Sequence, residues 1–310
     1  MFSVVFPGQG SQFVGMTKEL YSEFNYVREL FQQADDALGF SLSKIILEGP
    51  KEKLDETENT QPSIFLASQS IYQIIKKETK VDLSKANFFA GHSLGEYSAL
   101  AASESLNFDQ TIKLLKKRGK AMQSAVPKGE GGMLAVLGID IEKLNKILED
   151  NVSSYKCFIA NDNSNGQIVI SGKNKDIESL ILDLKKDSIK NIKLPVSAPF
   201  HCELMRTATE VMRKEIEITE FKKPNNSIVS NVTSIETRDP LQIKELLIKQ
   251  IESPVRWRES IIYMVNKGVR KFIEIGPGKV LSGLIKRIDK NLSITNVNGI
   301  NDIKNLNIND

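Results

Sequence analysis

Short apolar runs alternate with longer amphipathic stretches along most of the chain. Phe2-Ser3-Val4-Val5-Phe6 reads as a buried strand that Pro7 and Gly8 end. Helical spacing follows over Met16–Asp36 and again over Pro62–Lys77, where Pro62 suits a first helical turn. Asn87–Ala90 is a second short apolar run. It leads directly into Gly91-His92-Ser93-Leu94-Gly95 and a helical stretch over Glu96–Ser103. A lysine-rich helix is expected over Asp109–Ser124.

The pattern changes after Pro127 and the glycines at 129, 131 and 132. Strand, helix, strand, strand, helix, strand is predicted over Met133–Leu137, Ile141–Asp150, Tyr155–Ala160, Gln167–Ser171, Asp176–Lys186 and Asn191–Val196. Asn161–Gly166 is expected to be the turn between the middle strands. This βαββαβ order is the ferredoxin-like plan. Residues 127–197 are therefore expected to form a small α+β domain inserted into a large one, 1–126 with 198–310. The large domain continues with an apolar stretch at Ile228–Val232 and helices over Leu241–Ile251 and Arg258–Lys267. A strand at Phe272–Ile275 and a helix through Arg287 follow. Alternating strands and helices imply an α/β fold, a parallel sheet with helices on its faces. The Asn-rich tail from Asn298 is expected to fray.

At 310 residues, 40% of them hydrophobic and 26% charged, the chain has the make-up of a globular protein with a sizeable core. A net charge of +3 gives no reason to expect a nucleic acid or a membrane as partner. The longest apolar runs fall far short of a membrane span. Met1–Phe6 carries no basic residue, unlike a signal peptide. Cys157 and Cys202 have no metal-ligand spacing and fit a reducing compartment. A cytoplasmic monomer is expected.

Gly91-His92-Ser93-Leu94-Gly95 is a G-x-S-x-G between a strand and a helix. Such a sharp turn exposes the serine hydroxyl, and the helix N-terminus behind it offers free N–H groups to a developing oxyanion. A serine nucleophile needs a base, and the chain has two histidines. His92 adjoins Ser93 and should point away from it, as a packed, hydrogen-bonded side chain. His201 remains, in a segment stiffened by Pro195 and Pro199. Two glycine-rich loops are not nucleotide sites. Gly8-Gln9-Gly10 continues to Phe13 where a dinucleotide fold needs glycine, and Gly276-Pro277-Gly278-Lys279 lacks the phosphate-loop spacing.

Four segments together resemble the malonyl-CoA:acyl-carrier-protein transacylases and the acyltransferase domains of polyketide and fatty-acid synthases. They are Phe6-Pro7-Gly8-Gln9-Gly10-Ser11-Gln12, Gly91-His92-Ser93-Leu94-Gly95-Glu96-Tyr97, Pro199-Phe200-His201 and Ile275-Gly276-Pro277-Gly278-Lys279. The resemblance covers nearly the whole chain, in the family's order. It implies Ser93 as nucleophile, His201 as base and the N–H groups of Gln9 and Leu94 as oxyanion hole. It implies that a backbone carbonyl near Gln250, not a carboxylate, orients the histidine. Arg118 would grip a substrate carboxylate; by its own surroundings it reads as part of a basic helix face with Lys113, Lys116, Lys117 and Lys120. Met122 would line the pocket or simply pack its helix. Phe200 would crowd out an α-methyl group. Asn163 would lie in a loop beside the site, and Lys190 would meet CoA phosphates or stand free in solvent. The implied partners are malonyl-CoA and acyl carrier protein, with no cofactor.

Two other classes stay open at this point. An esterase of the α/β-hydrolase type would want an HGGG-type oxyanion loop, which the chain lacks. A non-catalytic scaffold that binds carrier protein would have no need of Ser93, His201 and Arg118.

Overall fold

A computed structural model describes residues 1–196 and 198–307. Ten strands occur among them: β1 Phe2–Phe6, β2 Phe88–Gly91, β3 Gly131–Leu137, β4 Cys157–Ser164, β5 Gln167–Lys173, β6 Lys190–Lys193, β7 Ser227–Val229, β8 Glu236–Thr237, β9 Lys271–Ile275 and β10 Ser293–Val297. They form two sheets. The first has the order β10-β9-β1-β2-β7-β8 and is parallel except for the β7–β8 pair. The second has the order β4-β5-β3-β6 and is antiparallel.

Alternation along the central strands divides two cores. On β1, Val4 and Phe6 face one cluster, built largely on the Thr57–Glu78 and Phe108–Ser124 helices; Val5 faces the other, with Trp257, Ile261 and Leu284. β2 does the same with Phe89 against Phe88 and Ala90. Burial on both faces is why these strands read as unbroken apolar runs. The second sheet carries the Ile141–Asp150 and Asn174–Lys186 helices on the face of Leu134 and Val136. Its other face turns Met133 and Ala135 into the large core.

Several elements depart from expectation. The helix holding Pro62 starts at Thr57, so the proline is internal. The early start is possible because its polar first residues find acceptors in the preceding Lys51–Asp55 helix: Thr60 donates to the Leu54 carbonyl and Asn59 to that of Lys53. The predicted Met16–Asp36 helix is two helices, Lys18–Glu23 and Asn25–Leu38, broken at the extended Phe24. Asn161–Ser164 belong to β4, not to a turn; the turn is Asn165-Gly166 alone, with Gly166 at φ 71°. Polar residues suit this strand because they pair with the large sheet's side of the molecule, as Asp162 does with Arg258 at 2.9 Å. β6 ends at Lys193; Leu194 still donates its amide to the Met133 carbonyl of β3 at 2.9 Å, and Leu194–Val196 line the cleft.

The tail does not fray at Asn298. β10 was not foreseen, and a helix over Ile300–Lys304 follows it, packed by buried Ile300, Ile303 and Leu306. Ser197, where the small domain was expected to end, and the last tail residues, 308–310, lie outside the described residues. Among the described residues no helix is long and apolar enough to cross a membrane.

Candidate active site

The site forms at the carboxyl ends of the parallel strands, where ligands of open α/β sheets gather. β1 delivers Gln9, β2 delivers Ser93 and β7 delivers Asn231. The turn after β2 is tight enough to exclude side chains at its glycines. A Cβ on Gly91 would fall 2.0 Å from the carbonyl carbon of Gly95, and one on Gly95 2.3 Å from the Phe6 carbonyl oxygen. Ser93 itself sits at φ 53°, a left-handed conformation that non-glycine residues rarely hold. Its amide donates to Asn231 Oδ1 at 2.7 Å, and Asn231 Nδ2 donates to the Gly91 carbonyl at 2.7 Å. Asn231 thus clasps both sides of the turn.

Ser93 Oγ lies 2.8 Å from Nε2 of His201. The imidazole is buried, and its Nδ1 lies 2.8 Å from the backbone carbonyl oxygen of Gln250. That carbonyl closes the Pro240–Gln250 helix, where the last carbonyls lack intrahelical donors. A carbonyl only accepts, so Nδ1 carries the proton and Nε2 presents its lone pair to the serine. Burial, and next the positive charge of Arg118, push the His201 pKa down to about 3. The segment is steadied from the small sheet, where Ser171 of β5 donates to the Phe200 carbonyl at 2.5 Å.

Arg118 is fully buried, not part of a solvated face. Its guanidinium donates to Gln61 Oε1 at 2.9 Å, to Gln250 Oε1 at 2.7 Å and to Ser93 Oγ at 3.2 Å. Gln250 Nε2 turns the other way, to Glu96 Oε2 at 2.8 Å and the Ser93 carbonyl at 3.1 Å. Burial pushes the Glu96 carboxyl up to about 7, against hydrogen bonds from Asn231 and Gln250.

Gln9, Ser93, Arg118, Met122, Phe200 and His201 line one cleft of about 490 Å³ between the two sheets. The amides of Gln9 and Leu94 donate to no backbone carbonyl among the described residues; Gln9 lines the cleft, and buried Leu94 adjoins Ser93 without lining it. Gln250 is buried directly behind the cleft. Asn163 does not line it; its Oδ1 lies 2.8 Å from Nε2 of His92, a hydrogen-bonded side chain as expected, though His92 also lines the cleft. Asn161 lines the cleft in its place. Lys190 is exposed on β6 and outside the lining. A slightly larger hollow, about 530 Å³ beside Tyr26 and Gln73, contains none of these groups. Two polar residues of the site, Gln61 and Asn231, had no signal in the sequence, and Glu96 stood in a quoted segment without a role. Glu96 in particular reads as an ordinary acid in a helix's first turn.

A hydroxyl, a neutral imidazole and a buried guanidinium in one cleft can transfer an acyl group that carries a negative charge. A family model described as "Acyl transferase domain" matches residues 3–304. The chain belongs to this acyl transferase family. It is 43% identical over 290 residues to a malonyl CoA-acyl carrier protein transacylase of Bacillus subtilis, an alignment covering 93% of this chain and 90% of the relative. The crystal structure of an acyl-carrier-protein S-malonyltransferase from Bartonella henselae superposes with a TM-score of 0.95 at 40% identity, covering 98% and 97% of the two chains. A malonyl-transacylase solved in complex with a type II polyketide-synthase acyl-carrier protein gives a TM-score of 0.93 at 37% identity, covering 98% and 97%.

Proposed function

We propose that this acyltransferase moves a malonyl group from malonyl-CoA to the phosphopantetheine thiol of an acyl carrier protein through a malonyl-serine intermediate. The observation that carries the reading is convergence on one atom: Ser93 Oγ has His201 Nε2 at 2.8 Å and an Arg118 N–H at 3.2 Å. The substrate carboxylate pairs with the Arg118 guanidinium, whose planar fork suits it. His201 Nε2 takes the Ser93 proton as Oγ attacks the thioester carbonyl. The N–H groups of Gln9 and Leu94 hold the oxyanion. The carbon–sulfur bond breaks, and the CoA sulfur leaves with the proton from His201. The carrier thiol then attacks the acyl-serine by the reverse route. The thioester brings its own activation, so the scheme draws on no cofactor.

Met122 and Phe200 wall the acyl pocket, and Gln250 holds both base and arginine. Asn163 acts on the turn through His92, and Lys190, exposed on β6, serves the CoA phosphates. Residues 127–197 are read as the inserted domain that closes the cleft, in a cytoplasmic protein supplying fatty-acid synthesis.

Intact-mass measurement after mixing with malonyl-CoA tests the reading. One malonyl adduct is expected, on Ser93, discharged by holo carrier protein. An adduct elsewhere, or free malonate released faster than transfer, overturns it. In Arg118→Ala, malonyl loading is expected to fall while acetyl loading is spared; equal losses would remove Arg118 from its role.

A further inference from the structure

Glu96 lies buried beneath the nucleophile, 2% exposed, and no step above uses it. It is the second residue of the Gly95–Ala102 helix. One of its oxygens, Oε2, accepts from the Asn231 backbone N–H at 3.1 Å and from Gln250 Nε2 at 2.8 Å. Two donors converge there, so Oε2 is an acceptor whatever the protonation of the other oxygen.

Gln250 uses its carboxamide in opposite directions. Nε2 faces Glu96 and the Ser93 carbonyl, and Oε1 faces Arg118. A carboxylate oxygen and a backbone carbonyl only accept, and a guanidinium only donates. With Asn231 Oδ1 also facing Nε2 at 3.4 Å, these neighbours leave the amide one orientation. Reversed, it would set oxygen against three oxygens and NH2 against the guanidinium, inside a buried cluster. Of the acceptors facing Nε2, Glu96 Oε2 is the nearest, at 2.8 Å against 3.1 Å and 3.4 Å.

We propose that Glu96 is a positioning residue for substrate recognition: it fixes the Gln250 amide, which presents its oxygen to Arg118 and so aims the guanidinium at the substrate carboxylate. The proposal rests on the reading of Arg118 given above. Glu96 touches no substrate atom. Its effect travels through one neutral amide to one cation.

Loading of malonyl and of acetyl groups onto Ser93, read by intact mass in wild type, E96Q, R118A and the E96Q/R118A double variant, tests this. Glutamine keeps the size of the side chain but can set its own NH2 against Gln250 Nε2, which loosens the hold on that amide and hence on Arg118. The malonyl-to-acetyl loading ratio is expected to fall about tenfold in E96Q, as misdirecting one charged hydrogen bond would give. The loss should appear as a raised KM for malonyl-CoA with kcat little changed. In the double variant the ratio should equal that of R118A. Both acyl groups are read on one preparation, so the ratio is independent of the folded fraction. Any weakening of the Asn231 clasp on Ser93 lowers both rates alike and cancels. An unchanged ratio in E96Q, or a further tenfold fall in the double variant, overturns the proposal. A wild-type ratio in R118A instead overturns the reading of Arg118 itself. Should E96Q not fold, E96D decides: it keeps an acceptor-only carboxylate, and the ratio should stay within about threefold of wild type. A fall as deep as that of R118A overturns the proposal.

Discussion

The imidazole of His201 is kept neutral by its burial and by the cation beside it, and this has a cost in acid. Unfolded, the side chain takes up a proton below its ordinary pKa of 6.5; folded, it does not until about pH 3. The unfolded form therefore binds more protons in that window. As pH falls through that window, this residue lowers stability by up to about 1.4 kcal/mol per unit. Glu96, raised to about 7 from 4.5, has the opposite sign: folded, it holds its proton longer, so it favours the fold as pH drops from 7 to 4.5. Replacing His201 by Gln removes only the first effect. Thermal melting of His201→Gln should gain on wild type as pH falls from 7 to 5, and parallel curves would contradict the burial argument. A second expectation concerns Phe200, whose ring lines the cleft. Phe200→Ala should raise methylmalonyl loading relative to malonyl by roughly tenfold, since one methyl in a pocket is worth about 1–3 kcal/mol; a competition assay with both thioesters reads it. At this scale Ser93 and His201 were legible from the chain itself, one by its turn and the other because histidines are scarce. Arg118 was legible only through resemblance, because its lysine neighbours on the helix mimic a solvated face. Asn231 and Gln61 were not legible, nor was the role of Glu96 within its quoted segment, since these roles are set by partners as many as 154 positions away.

The strand–turn–helix over β2 and the Gly95–Ala102 helix depends on backbones approaching where no side chain fits. Gly95→Ala would drive a methyl to 2.3 Å from the Phe6 carbonyl oxygen and 2.9 Å from that of Pro7. Both are rigid backbone atoms, so the variant should melt far below wild type or fail to fold. Gly283, in the Val280–Ile288 helix, makes the control. A Cβ there meets nothing within 4 Å. Gly283→Ala should stabilise by about 0.5–1 kcal/mol, from helix propensity and a less disordered unfolded chain. The same helix explains the Gly276–Gly278 motif. Buried Glu274 accepts from the amides of Leu281 at 3.0 Å and Ser282 at 2.8 Å, capping the helix across that loop. Strong apolar runs made β1, β2 and β9 easy to foresee. β10 was not, because Ser293-Ile294-Thr295-Asn296-Val297 has mixed polarity and is held mainly by ladder bonds to β9. The end of β4 misled for the reverse reason: its Asn and Asp side chains look like a turn until their partners are known.

The two sheets meet along the cleft, and their joint is asymmetric. On one side β4 is tied firmly. Asp162 donates its amide to the Val255 carbonyl at 3.0 Å, Val255 donates to that of Ala160 at 2.8 Å, and Arg258 grips the Asp162 carboxylate. On the other side β6 is an exposed edge strand. Asp162 is buried, and burial works to raise its carboxyl pKa while Arg258 opposes this. Arg258→Ala should cost about 1–3 kcal/mol in denaturant unfolding, by stranding a buried carboxylate; an unchanged midpoint would mean the joint is held by backbone alone. The βαββαβ order was readable because its strand and helix signals come in the right sequence, although the ends of β4 and β6 lie elsewhere than expected.

The sheet order has a consequence for synthesis. β1, made first, is flanked by β2 and by β9, which is separated from it by some two hundred and sixty residues. Until that late segment leaves the ribosome, one side of β1 is a bare edge of backbone donors and acceptors. The emerging polypeptide thus carries its reactive serine long before its central sheet can close, and a chaperone that shields open edges would matter most during that interval.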